Sequence, residues 1–140
     1  MDGPVTSPHE IVNPDSLAPP VGFSHAVVAA PGRTVYLGGQ TGHDAIGTLV
    51  GPGLVEQFRQ ASSNVATALA AAGGQPEHIV SMQIYVTDVS DYRKSLTALG
   101  EAYREVFGRH YPATALFGVS ELFDPDAKVE LVCTAVIPEA

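Results

Sequence analysis

From Leu54 to Ala72 the residues Leu54, Phe58, Ala61, Val65, Leu69 and Ala72 recur at spacings of three and four, with polar positions between them. That period lays one apolar stripe along an amphipathic helix, and Gly73-Gly74 predicts its end. A second stripe, Tyr92, Leu96, Leu99, Tyr103 and Val106, predicts a helix from about Asp91 to Phe107, capped by Ser90 or Asp91 and closed by Gly108. Elsewhere the period is two. Ile79 to Thr87 reads as a strand with Val80, Met82, Ile84 and Val86 on one face. His9 to Asn13 predicts a short strand, and Pro14, Pro19, Pro20 and Gly22 keep residues 14–23 a loop. Ser24 to Ala30 and Thr34 to Gly39 are apolar, β-branched runs on either side of Pro31-Gly32-Arg33, which predicts an antiparallel hairpin.

The stretch from Tyr111 to Val136 carries two further β-rich runs separated by the acidic turn Glu121 to Ala127. Thr114, Leu116 and Gly118 share one face of the first run, and Glu130, Val132, Thr134 and Val136 share one face of the second. Glu130 is thus a single carboxylate in an otherwise uncharged row. The simplest packing of these elements is an α+β two-layer sandwich, a mostly antiparallel six-stranded sheet with two helices on one face. Apolar residues occupy both alternation sets of Ala115 to Val119 and Val129 to Val136, so the second face also needs a cover, which oligomerisation supplies. Residues 1–8 read as a flexible leader and residues 9–140 as a single domain.

Composition narrows the function. Seven Lys and Arg against fifteen Asp and Glu give a net charge of -8, and the cations are scattered along the chain, which disfavours nucleic acid as a partner. The first residues lack a charged n-region and an apolar h-region, and no apolar run approaches the length of a membrane span, so a soluble cytoplasmic protein is expected. Cys133 is the only cysteine and reads as a small buried hydrophobe. No His-x-x-x-His spacing is present, and no metal site is predicted. His25 and His43 lie nearest the expected cleft, while His9, His78 and His110 read as surface or loop residues.

Gly22-Phe23-Ser24-His25-Ala26-Val27, Val35-Tyr36-Leu37-Gly38-Gly39-Gln40, Val86-Thr87-Asp88, Pro112-Ala113 and Val129-Glu130-Leu131, in this order and at these spacings, resemble the RidA family, also called YjgF or L-PSP proteins. The resemblance covers nearly all of residues 10–137. It implies a chorismate-mutase-like α+β fold, a homotrimer, and sites in the clefts between subunits. The best-known members hydrolyse reactive imines and enamines, such as 2-aminoacrylate, to carbonyl compounds and ammonia without a cofactor. In them an arginine directly after the Pro-Ala pair holds the substrate carboxylate with two parallel hydrogen bonds, and a glutamate on the last strand positions the attacking water.

Glu130 matches that glutamate, with one extra residue in the Phe123 to Ala127 turn, but Thr114 stands where the arginine would be. Phe23 replaces a frequent tyrosine and Ser90 a frequent asparagine. Breaking a buried ion pair costs about 3–5 kcal/mol, so ordinary 2-imino acids are poor candidates and a neutral or differently charged substrate fits better. The resemblance makes Glu130 and Thr114 the catalytic candidates, with Phe23, Gly39, Gln40, Ser90, Ala115 and Leu116 lining the site. Taken without it, Glu130 reads as a solvated strand carboxylate or a general base, Thr114 as a β-former or a hydrogen-bonding partner of a neutral substrate group, and Gly38 to Gly42 as either an ordinary turn or a site-lining loop. The reading that follows is hydrolytic deamination of a small imine, enamine or related carbonyl-type metabolite. The alternatives are a trimer that binds a metabolite without turnover, and an endoribonuclease, which conflicts with the net charge.

Overall fold

The computed structural model describes residues 7–139; the first six residues of the expected leader lie outside that stretch. Six strands and three helices follow in the order β1 (Glu10–Val12), β2 (Ala26–Val28), β3 (Gly32–Tyr36), α1 (Leu54–Ala71), β4 (Ile79–Val86), α2 (Val89–Lys94), α3 (Leu96–Phe107), β5 (Ala113–Gly118) and β6 (Val129–Pro138). β3, β6, β4 and β5 form one sheet in that spatial order, and β1 and β2 form a separate antiparallel ribbon. β6 runs antiparallel to both its neighbours, and β4 and β5 are parallel. The α+β class, with helices packed on a mostly antiparallel sheet, is the one the sequence predicts.

The core lies between the helices and one face of the sheet. α1 contributes Leu54, Phe58, Ala61, Val65 and Leu69, the predicted stripe except for Ala72, which is the exposed C-cap, and α3 contributes Leu99, Ala102 and Phe107. From the sheet come Val129, Leu131, Cys133 and Ala135 of β6 with Met82, Ile84 and Val86 of β4. Burial of Cys133 pushes its thiol up to about 12, so it is a core residue rather than a nucleophile. No helix among the described residues is long and apolar enough to cross a membrane.

Four local expectations are corrected. Pro31-Gly32-Arg33 does not close a hairpin: β2 pairs with β1, while β3 crosses to β6. A Cβ at Gly32 would lie 2.2 Å from the Ile137 carbonyl oxygen, so this glycine lets the chain approach β6 instead of turning back on β2. In β4 a register shift between Ile79 and Ser81 puts Ile79 rather than Val80 in the core. The second predicted helix is two. Asp88 caps α2 by accepting from the Asp91 N–H at 3.0 Å, and Ser95, at φ -108°, separates it from α3. Finally, His9 and His110 are buried: the rings bond the Val136 carbonyl at 2.9 Å and the Ile79 carbonyl at 2.7 Å. Burial lowers the His110 pKa, keeping that ring neutral as a structural bridge.

The loops around the sheet are tied down by polar side chains of α1. Gln57, fully buried, donates from Nε2 to the carbonyls of Gly51 at 2.8 Å and Asp126 at 3.1 Å, and its Oε1 accepts from the Lys128 N–H at 2.7 Å. A Cβ at Gly42 would lie 2.7 Å from Gln57 Cα, so the loop after β3 lies directly on the helix. Two turns further on, Asn64 donates to the carbonyls of Thr41 at 3.1 Å and His43 at 2.8 Å. Gln57→Leu strands three backbone groups and should cost about 2–4 kcal/mol in denaturant unfolding. Ser62, whose buried hydroxyl has no partner, supplies the contrast: Ser62→Ala should be neutral or stabilising. A Gln57→Leu cost no larger than that of Ser62→Ala contradicts the staple.

Candidate functional site

The pairing of β5 with β4 decides where its side chains go. Met82 is level with Thr114 and Ile84 with Leu116, and since Met82 and Ile84 face the helices, so do Thr114 and Leu116. Beyond β5 the chain around Ser24 runs alongside, with its N–H on the Pro112 carbonyl at 3.1 Å and its hydroxyl on the Tyr111 carbonyl at 2.6 Å. That anchor carries Phe23 to the rim. The result is a cavity of about 570 Å³ between α2, α3 and β5, whose lining includes Phe23, Tyr92, Tyr103, Arg104, Thr114 and Leu116. Tyr103 stacks on Tyr111 at 5.3 Å, and burial raises the Tyr92 and Tyr103 pKa values, so both phenols stay neutral. The Thr114 hydroxyl donates to the Pro112 carbonyl at 2.8 Å, which leaves its lone pairs to accept from a ligand.

Glu130 lies on the other face. It is level with Tyr85 of β4, and Tyr85 with Phe117 of β5, so these three form one row on the side away from the helices. Tyr85 and Phe117 stack at 5.4 Å. The Glu130 carboxylate rests against the backbone of Gly39, where a Cβ would fall 1.8 Å from Oε2. Gln40 and Leu131 exchange backbone hydrogen bonds at 2.8 Å in both directions, holding the loop after β3 against the start of β6. A second cavity, of about 470 Å³, is bounded by Gly39, Thr41, His43, Phe123, Asp124 and Glu130. Among the described residues the Glu130 carboxylate accepts no hydrogen bond, so its acceptor capacity is not used within the chain.

Beside it runs a chain of polar groups. Thr41 Oγ1 is 2.6 Å from His43 Nδ1, and His43 Nε2 is 2.9 Å from Asp124 Oδ2. A carboxylate only accepts, so in the neutral imidazole Nε2 carries the proton and Nδ1 accepts from the Thr41 hydroxyl. The Asp126 N–H, donating to Asp124 Oδ1 at 2.9 Å, and then His43 hold the Asp124 carboxyl below the usual aspartate range. No three His, Cys, Asp or Glu side chains converge as metal ligands among the described residues.

The predicted site residues therefore fall into separate places. Phe23, Thr114 and Leu116 meet in the cavity on the helix side. Glu130 and Gly39 meet across the sheet from them. Gln40 contributes its backbone to the β6 contact while its side chain turns to the Gly38 carbonyl at 3.3 Å, Ala115 is exposed beside Gln83, and Ser90 is exposed on the first turn of α2. Sequence reasoning reached Thr41 only as part of the Gly38 to Gly42 loop and passed over Asp124 and Arg104. Asp124 had a signal, since it sits in the turn that is one residue longer than the family pattern.

The model of the family described as "Endoribonuclease L-PSP" matches residues 13–137. A protein named 2-iminobutanoate/2-iminopropanoate deaminase from Capra hircus is 34% identical over 115 residues, covering 81% of this chain and 79% of its own. The RutC family protein UK114 of Drosophila melanogaster is 33% identical over 129 residues, covering 91% of this chain and 88% of its own. Among solved structures, that of YyfB from Yersinia pestis, a Rid-family protein of unknown function, superposes with a TM-score of 0.84 at 32% identity, covering 92% of this chain and 98% of that one.

The contact between Gly39 and Glu130 makes a direct prediction. In Gly39→Ala the new Cβ meets the flexible end of a side chain, so stability should change by less than about 1 kcal/mol. The Glu130 carboxylate should take another rotamer in a crystal structure of the variant. An unmoved carboxylate contradicts the geometry.

Proposed function

The chain belongs to the RidA family, and from that premise we propose that it is a cofactor-free hydrolase of a small imine or enamine, acting as a homotrimer. Its site is the cleft where the Glu130 face of one copy meets the Phe23, Thr114 and Leu116 cavity of another. One observation carries the reading: Glu130 and Thr114 lie on opposite faces of a single sheet, so no small ligand held within one chain can touch both. The outer face also offers a surface for a second copy. Tyr36 is 81% exposed and Phe117 43% exposed there, beside Tyr85 and Val132, and the paired rows of β3, β6, β4 and β5 carry no lysine or arginine on that side.

The chemistry needs little from the protein. Water adds to the C=N carbon, its oxygen forming the new bond while one proton goes to nitrogen. The resulting carbinolamine then breaks its C–N bond as the C=O bond forms, its hydroxyl proton passing to the nitrogen, which leaves as ammonia. Glu130, acceptor-only when ionised and free of other hydrogen bonds, orients the water and takes its proton for delivery to the nitrogen. The lone pairs on the Thr114 hydroxyl accept from the imine N–H. With threonine at position 114, small 2-imino acids such as those in the relatives' names lack their arginine on β5, and they should be poor substrates. A single, buried cysteine suits a reducing cytoplasm. RNA cleavage fits poorly with a net charge of -8.

Light scattering should give three times 14.6 kDa. Ammonia release from a panel of imines generated in situ should fall by roughly 10²-fold in Glu130→Gln, with stability unchanged. A monomer at micromolar concentration removes the shared cleft. A trimer that binds ligands but releases no ammonia from any imine reduces the protein to a binding module.

A further inference from the structure

We propose that Arg104 is the anion anchor of the cavity between α3 and β5, and that this cavity takes a carboxylate carried on an aromatic or bulky apolar body. The proposal deepens the hydrolase reading by naming a substrate class; it depends on that reading for the reaction and not for binding.

Among the described residues Arg104 is the only charged one lining the cavity. Its guanidinium lies back along α3 over Gly100, where a Cβ would sit 3.1 Å from Nη1 and 3.9 Å from Nη2, so the missing side chain at position 100 leaves it room at the cavity wall. Among the described residues it has no ion pair and no side-chain hydrogen bond, and the one acid of α3 that is paired, Glu105, is taken by Arg59 at 2.9 Å. A half-buried guanidinium with its donors unused, facing a cavity without acids, is suited to a planar carboxylate. The rest of the lining fixes the body of the ligand. Phe23, Tyr92, Tyr103, Leu99 and Leu116 present aromatic and branched surface. The cavity's volume of about 570 Å³ lies in the range of ~300–1,000 Å³ typical of small-molecule pockets. An arginine on α3 thus supplies from the helix layer the charge that Thr114 does not supply from the sheet.

The test uses the intact protein and three stable carbonyl probes followed by calorimetry. Phenylpyruvate has the body and the carboxylate, phenylacetone the body alone, and pyruvate the carboxylate alone. Wild type should bind phenylpyruvate at least about 10-fold more tightly than either of the others. Arg104→Gln should abolish the preference over phenylacetone while leaving phenylacetone binding unchanged, and Arg104→Lys should retain part of it. Circular dichroism checks that the variants are folded; should the glutamine variant fail to fold, the lysine variant and the weakening of phenylpyruvate binding with added salt decide. Equal binding of phenylpyruvate and phenylacetone by wild type, no binding of either, or an Arg104→Gln protein that keeps the preference overturns the proposal. Ammonia release, measured in parallel, separates the two readings. Equal binding of phenylpyruvate and phenylacetone by a wild type that releases ammonia from an imine sinks the anchor alone, and a wild-type preference for phenylpyruvate without turnover of any imine sinks the hydrolase alone.

Discussion

The period-two alternation of side chains along β6 is the constraint on which the rest of the structure depends. As an inner strand of the main sheet it pairs with β3 on one side and β4 on the other, and its odd-numbered residues Val129, Leu131, Cys133 and Ala135 enter the core. The same alternation forces Glu130 out through the opposite face, onto the backbone of Gly39. A slip of one residue would bury the carboxylate and expose the core set. The core and the candidate site are therefore two consequences of one register. The loop after β3 and the acidic turn before β6 reach that register through Gln57, whose amide holds the turn and the loop segment at Gly51 from the helix layer.

A division of labour between the two faces follows. The helix face holds an apolar cavity with one cation, the outer face a carboxylate with the Thr41, His43 and Asp124 chain beside it. Neither has the full set of groups that imine hydrolysis needs. In the proposed trimer, joining them would also cover the aromatic outer surface around Tyr36, Tyr85 and Phe117, so that one contact would serve both burial and chemistry. Arg104 and Thr114 line the same cavity from different layers, so a charge proposed on the helix would reach the space that a β5 side chain faces.

Much of this was legible in the sequence, for reasons that vary by element. The α1 stripe and the alternation of β6 are local periodicities, and they emerged as expected because each element buries one continuous face. The hairpin at Pro31-Gly32-Arg33 failed because turn chemistry is local while the choice of partner is not: β6 is long enough to take β3 along its second half, and Gly32 permits the approach. The shift at Ile79 and the break at Ser95 move residues by one position within correctly placed elements, which periodicity cannot resolve. Glu130, Phe23 and Thr114 stood out through family spacing. Their distribution over two faces did not, because it depends on β4 inserting between β5 and β6. Arg104 was invisible for a different reason: on a helical wheel it is one more surface cation, and only the empty position at Gly100 and the acid-free cavity give it a role.

The central claim, that Glu130 and Thr114 act on one substrate from two chains, is tested most directly by subunit mixing. Glu130→Gln and Thr114→Tyr trimers, the second with its cavity filled, are each prepared inactive, then dissociated and reassembled at equal concentration. If each cleft draws its two halves from different chains, mixed trimers recover about a quarter of wild-type activity, the share of clefts that receive both intact halves. If both residues serve one site within one chain, every site stays defective, and a mixture as inactive as its components contradicts the account.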